Sequence, residues 1–403
     1  MKLRVRFLQL PVLFDAERLA REVAAIPQSA WRPHPQGYPG NDALTLITTD
    51  GDPDSDARQG AMGPTPHLLA CPYLMQVLDA LGATWGRSRL MRLSGAAEVT
   101  PHVDTDYYWR DHMRVHVPIV TQPTVRFLCG GEEVNMAAGE CWIFDTWSLH
   151  SVHNDATRAR IHLVADTVGG RGFTTLMEQG RPAGVDLPGF APRRVAPLEG
   201  SAPTLAYESR NLPTVMTPWE LRDHVGFLLS ELAAPSQQSA AVGQALVRMR
   251  NEWHALWARS GDDEAAWPDY AAVLEETWPR LEAMGVHAIP LRNGMPLGRC
   301  LRALVFGSAL GGRSAGMDAE TRGAPSTAVD SAPVERAPGP PARSGRDADF
   351  DRPIFIVSPP RSGSTLLFET LSSAPGLVTI GGESHNLMEQ VPAIKTGRPA
   401  LKK

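Results

Sequence analysis

Cysteine is scarce in this chain of 403 residues: Cys71, Cys129, Cys141 and Cys300 are far apart, and no two stand at CxxC spacing. That argues against a disulfide framework or a cysteine-built zinc site and points to a reducing compartment, the cytoplasm. Long apolar runs are missing as well. None approaches the roughly 20 residues that span a bilayer, so no membrane partner is expected. The opening residues, MKLRVRFLQLPVLF, are basic but lack both a long apolar stretch and a small-residue cleavage site. They read as a first strand running into a helix at 15–25 rather than as a signal peptide. The net charge of −5 is spread along the length without a basic patch, which argues against nucleic acid as a partner. There is no internal repeat.

Up to about residue 168 the chain is rich in strand patterns. Short β-branched or alternating runs stand at 88–93, 113–120, 124–128, 140–144 and 161–165, separated by turn signals such as Ser94-Gly95, Gly130-Gly131 and Ala138-Gly139. That spacing predicts a β-sandwich or jelly roll, with helices at 15–25 and 72–81 ahead of it. Residues 169–203, rich in Gly, Pro and Arg, read as an irregular connection. Helical spacing then takes over. Thr217 and Pro218 mark a start, Trp219, Leu221, Val225, Leu228 and Leu232 recur at helical intervals, and amphipathic runs follow at 240–259, 265–283 and 298–308. Residues 311–350 hold almost no large apolar side chains. Such a segment cannot offset its ordering entropy, and it reads as a disordered linker. Beyond it, PIFIVSPPRSGSTLLFETL reads as a buried strand, a Gly/Ser loop and a helix. The expected division is a mainly β jelly-roll domain with flanking helices at 1–180, a small α-helical region at 204–310, the linker at 311–350 and a short α/β P-loop-like fragment at 351–403.

The chemistry begins at His102-Val103-Asp104. At positions i and i+2 of a strand, an imidazole and a carboxylate point to one face. A second imidazole from a distant strand would complete a set of two histidines and one carboxylate. That set leaves open positions on iron(II) for cosubstrate and oxygen. The candidates are His150 and His153, both just after GECWIFD at 139–145. The cosubstrate would be 2-oxoglutarate, whose distal carboxylate wants a guanidinium in a partly dry pocket. Arg160 stands at the start of the following strand, and Arg114 and His116 alternate on 113–120 as second contacts to the same carboxylate. An HxD pair alone is common by chance; the weight lies in the ordered series. Tyr107, Tyr108 and Trp109 either line a substrate pocket or form a packed lid. Arg92, Arg110, Asp106 and Trp147 are candidates to grip the charged ends of an amino acid, with ordinary surface or core roles as the alternative for each. His112 and His162 read as structural.

The stretch 91–166 resembles the aspartyl/asparaginyl β-hydroxylase family, which includes the bacterial free-proline cis-hydroxylases. The match is carried by PHVD (101–104), RVHVPI (114–119), GECWIFD (139–145), the first histidine of SLHSVHND (His150) and RIHLVAD (160–166). The resemblance implies a double-stranded β-helix, cupin-like in form. It implies iron(II) on His102, Asp104 and His150, the last favoured over His153 by its spacing to the next strand. It also implies 2-oxoglutarate on Arg114, His116 and Arg160, and hydroxylation of an amino acid (free, or within a peptide or natural-product intermediate) with release of succinate. Some animal members lack the carboxylate; Asp104 gives this chain the bacterial three-ligand pattern. The helices up to about 310 are similar to the C-terminal helices of bacterial members.

After the strand at 354–357 comes SPPRSGST (358–365), then a helix from Leu366. Backbone N–H groups of such a loop, with a helix N-terminus behind them, suit an anion. GxxxxGK[ST] is absent. From Arg352 onward the segment resembles instead the 5′-phosphosulfate loop of PAPS-dependent sulfotransferases, and Glu383-Ser384 is compatible with that family. PAPS would sit at 358–366 if the domain were complete. A truncated or vestigial fragment that is poorly folded alone and transfers no sulfate is expected, with a chance Gly/Ser turn as the alternative. Two further functions stay open: a PAPS-dependent sulfotransferase with an accessory jelly-roll domain, and a non-catalytic metal- or sugar-binding jelly roll. Asp104 and Arg160 together argue against the second.

Overall fold

Alternation along each strand decides which layer its side chains meet. The computed structural model describes residues 2–34, 37–200 and 202–311. The α/β fragment and the linker beyond residue 311 lie outside the described residues. The strands that build the site are β1 (Phe7–Phe14), β2 (Asn41–Thr49), β3 (Thr84–Leu93), β4 (Glu98–His102), β5 (Met113–Val120), β6 (Val125–Cys129), β7 (Glu132–Val134), β8 (Glu140–Phe144), β9 (His150–Asn154) and β10 (Arg160–Gly169). They form two sheets. The larger runs β1-β8-β5-β10-β3-β2 with short strands at its margins, and the smaller runs β4-β9-β6-β7. From β3 onward the chain passes repeatedly between the two, so the sheets face each other as a double-stranded β-helix, the jelly roll expected from the sequence.

One parity of the larger sheet packs outward. Leu90, Val115, Val117, Ile143 and Leu163 meet Leu19 and Val23 of α1 (Ala16–Ala24) and Leu74 and Val77 of α2 (Pro72–Ala80). These side chains are fully or almost fully buried, each contributing about 1.5–3 kcal/mol of apolar burial. The other parity faces the smaller sheet. At one end Phe7, Leu93, Trp142 and Phe144 close on Phe127 and Val152. Further along the same faces the residues turn polar and line a pocket. Past α3 (Tyr107–Asp111) and α4 (Arg171–Glu178), a separate core joins the helices α5 (Pro218–Ser230), α6 (Gln237–Ser260), α7 (Trp267–Ala283) and α8 (Leu297–Leu301). Thr217 caps α5 by accepting from the Glu220 N–H, as the Thr-Pro start predicts. Among the described residues no helix is long and apolar enough to cross a membrane.

Three expectations need correction. Residues 169–203 are not irregular throughout. Gly169 (φ +96°) and Gly170 (φ +155°) turn the chain into an unforeseen helix, Arg171–Glu178, anchored by fully buried Phe173, and Arg181–Pro182 and Arg193–Val195 then pair along β1. Strand β2 had no counterpart in the sequence reading, though it pairs along β3. Asp104 is not in a strand with His102: β4 ends at His102, and the Asp104 N–H donates to the Thr146 carbonyl at 3.1 Å.

The turn before β8 depends on one glycine. Gly139 has φ +82°, its carbonyl accepts from the Phe14 N–H at 2.8 Å, and a Cβ there would lie 2.3 Å from the Phe14 carbonyl oxygen. Gly139→Ala should therefore lower stability by about 2 kcal/mol, read as a shift in the denaturant midpoint. An unchanged midpoint would show that the turn relaxes freely.

Candidate metal centre

His102 closes β4 and His150 opens β9, and the two residues are direct cross-strand partners. Their rings lie 4.2 Å apart at the centroids. With Asp104 they bring three ligand atoms within 4.8 Å of one another. Each imidazole is held by its far nitrogen: His102 Nδ1 lies 2.8 Å from the Thr100 carbonyl and His150 Nδ1 2.9 Å from that of Ser148. A carbonyl only accepts, so Nδ1 carries the proton and Nε2 keeps its lone pair for a metal. Burial, then the neighbouring His102, lowers His150 to about 4, which keeps that imidazole neutral.

Asp104 is the anionic member. Burial pushes its carboxyl upward, but Arg114 and the two imidazoles overcome this and hold it at about 2. Arg114 Nη1 donates to Asp104 at 2.9 Å, its Nε donates to Asp166 at 3.1 Å, and its guanidinium lies 3.9 Å over the Trp109 ring. Two imidazole nitrogens and a carboxylate oxygen suit a divalent first-row metal with positions left open.

Behind the centre lies a pocket of about 280 Å³ that His102, Asp104, His150, Arg114, His116 and Arg160 all line. Arg160 is buried, and among the described residues it has no carboxylate partner. Its Nη2 donates to His162 Nδ1 at 2.8 Å. Burial, then Arg160, holds both His116 and His162 far below the usual histidine range, and their Nδ1 atoms lie 3.5 Å apart. His162, read as structural from the sequence, thus sits against the arginine that the pocket presents.

The other candidates scatter. His153 points away from His150 and pairs with Glu98 at 3.0 Å. Of the aromatic trio only Trp109 lines the pocket. Tyr108 stacks on His112 and accepts the Arg87 N–H, while Tyr107 bonds to Glu220 of α5. Arg92 pairs with Asp42 at 2.7 Å, Arg110 with Asp223 at 3.0 Å, and Trp147 is buried in the helical core with its indole N–H on Glu231. Asp106 caps the helix Tyr107–Asp111 and pairs with Arg58 at the pocket margin. None of these four side chains lines the pocket. The residues missed by sequence reasoning are Arg87 and Arg89 on β3, which do line it, and Asp166, which fixes Arg114. Their signal was parity: Arg87 and Arg89 share the face of Met91, and Arg92 has the opposite one.

Residues 58–169 match the model of the family described as Aspartyl/Asparaginyl beta-hydroxylase, and residues 353–402 match that of the Sulfotransferase family. No curated protein matches the chain. Similar solved structures include an oxidoreductase of the 2OG-Fe(II) oxygenase family from Burkholderia pseudomallei, 14% identical over 39% of this chain and 80% of that one, with a TM-score of 0.27. A prolyl-4-hydroxylase from Pseudomonas putida is 18% identical over 42% of this chain and 94% of that one, with a TM-score of 0.27. The non-heme alpha ketoglutarate dependent epimerase SnoN from nogalamycin biosynthesis is 17% identical over 49% and 92%, with a TM-score of 0.29. Residues 58–169 are thus similar to an aspartyl/asparaginyl β-hydroxylase domain, and His102, Asp104, Arg114, His116, His150 and Arg160 all fall within the match.

Proposed function

We propose that this chain is an iron(II)- and 2-oxoglutarate-dependent dioxygenase that hydroxylates an amino acid, free or carried within a peptide or natural-product intermediate, and releases succinate. The observation that carries this reading is the meeting of His102, Asp104 and His150 beside a buried arginine with no carboxylate partner among the described residues. Iron(II) bound there, with 2-oxoglutarate and dioxygen, would supply the oxidant for a C–H bond.

The chain's own part is positioning. Backbone carbonyls fix the tautomers of His102 and His150, so both offer Nε2. Arg114, braced between Asp104 and Asp166, orients the ligand carboxylate and keeps it ionised. Arg160 is placed to receive the distal carboxylate of the cosubstrate, because a guanidinium can grip it through two parallel bonds. His162 accepts one Arg160 N–H and so sets the direction of the remaining donors. His116, its Nε2 without a partner among the described residues, offers a second polar contact at the same end.

The anaerobically purified chain, given iron(II), 2-oxoglutarate and air, should form succinate at a rate raised by an amino acid from a panel. Absence of both iron uptake and succinate would defeat the reading. His150→Ala should abolish iron content measured by elemental analysis, while His153→Ala retains it; the reverse pattern would exchange the two histidines. His162→Phe should raise the KM for 2-oxoglutarate about tenfold, the loss of one charge-assisted hydrogen bond, with iron content unchanged. An unaltered KM would leave His162 a packing residue.

A further inference from the structure

The pocket holds more positive charge than this reading uses. Arg87 and Arg89 stand at i and i+2 of β3, so both side chains leave the same face. Each residue is only 8% exposed, and both line the pocket. Among the described residues neither guanidinium makes an ion pair or a hydrogen bond, and Arg87 Nε is buried without a partner. The carboxylates that act on them do so from a distance: Asp166 is bonded to Arg114 at 3.1 Å, and Asp56 is half exposed beside Arg32. The other arginines of the pocket are accounted for. Arg114 lies between two aspartates, Arg58 is paired with Asp106 at 2.8 Å, and Arg160 is the cosubstrate's. Iron(II) and doubly ionised 2-oxoglutarate cancel each other. Two buried cations therefore remain without counter-charge, which is costly unless a ligand brings it. His34, on the same wall, is held at about 3, first by burial and then by Arg89, Arg87 and Arg114.

The lining is as informative for what it omits. Its carboxylates are Asp104, which belongs to the metal centre, and exposed Asp56 at the rim. No buried acid is left to receive an ammonium. We infer that Arg87 and Arg89 form the anion subsite of the substrate, and that the substrate is a small acid with two negative charges and no free ammonium, such as an acidic amino acid whose amine is acylated. This rests on the dioxygenase reading and narrows its substrate class. It also replaces Arg92 and Arg110 as the residues that grip the substrate, since both are committed to aspartates elsewhere.

Calorimetric titration of the full chain tests it. The protein is loaded with manganese(II) and N-oxalylglycine, an unreactive analogue of 2-oxoglutarate, then titrated with N-acetyl-L-glutamate, N-acetyl-L-glutamine or L-glutamate. N-acetyl-L-glutamate should bind at least about tenfold more tightly than either other compound, and the double substitution R87Q/R89Q should erase that preference while N-oxalylglycine still binds. Equal or tighter binding of N-acetyl-L-glutamine or L-glutamate, binding of none of the three, or survival of the preference in the double variant overturns the inference. The wild-type comparison decides the matter even if the double variant does not fold. Failure of N-oxalylglycine to bind the wild-type chain sinks the dioxygenase reading, and the inference with it.

Discussion

Antiparallel pairing of Glu98–His102 with His150–Asn154 sets the two imidazoles opposite one another, and the register there is not regular. His150 faces His102 while Val152 faces Val99, so three steps along one strand oppose two along the other. The extra residue falls in Thr100-Pro101. Proline cannot donate to a ladder and is tolerated at bulges and on edge strands, and β4 is the edge of the smaller sheet. Without this bulge the alternation would keep its phase, and one of the two rings would turn to the opposite face. The same bulge leaves the Thr100 carbonyl free to hold His102 Nδ1. A single irregularity of backbone therefore supplies both the meeting of the rings and the tautomer of one of them.

Charge is arranged on the facing sheet in two classes. Arg114 is neutralised between Asp104 and Asp166, and this chain of bonds ties the metal-ligand segment to β5 and β10. Arg87, Arg89 and Arg160 are buried on the same face with no acid in contact among the described residues. Guanidinium resists deprotonation, so the protein cannot escape the cost by shedding protons as a lysine would. Folding offsets that cost through the apolar layers on either side, and the return comes only when anions enter. Such a pocket is selective by charge before it is selective by shape.

Much of the frame is legible in the residues because it follows from local pattern. Met113–Val120 and Glu140–Phe144 have the boundaries that their alternation predicts, and Thr217-Pro218 starts a helix as capping chemistry requires. The metal-centre candidates were legible for a different reason: the chemistry admits few residue types, and they occur in order. What escaped depends on partners remote in sequence. Strand β3 begins at Thr84 rather than near Ser88 because its first residues pair with Gly169 and Thr167 of β10, and that extension is what brings Arg87 onto the pocket face. The sequence reading singled out Arg92 and passed over Arg89, yet parity sends Arg92 to Asp42 and the Trp31 ring. Asp145 closed a motif without an assigned role. Its carboxylate, fully buried, gathers Arg6 and the Leu3 N–H from the start of the chain, together with Ser148 three residues on.

The segment that begins at Asp145 also ties the helical region to the candidate metal centre. The segment 145–149 runs directly into His150, and its Thr146 carbonyl accepts from the Asp104 N–H, so it touches two of the three candidate ligands. On its far side Trp147 is buried in the helical core, its indole N–H on Glu231 at 3.0 Å and its carbonyl accepting from Asn293 at 3.0 Å. Tyr107, three residues beyond Asp104, is bonded to Glu220 of α5. The helices thus hold the segments flanking both ligand positions from outside the barrel, where the sheets themselves offer Asp104 no ladder. A metal centre tolerates little displacement of its donors. Two strands fix one pair of candidate donors, and the third, standing past the end of its strand, is fixed by helices that never line the pocket.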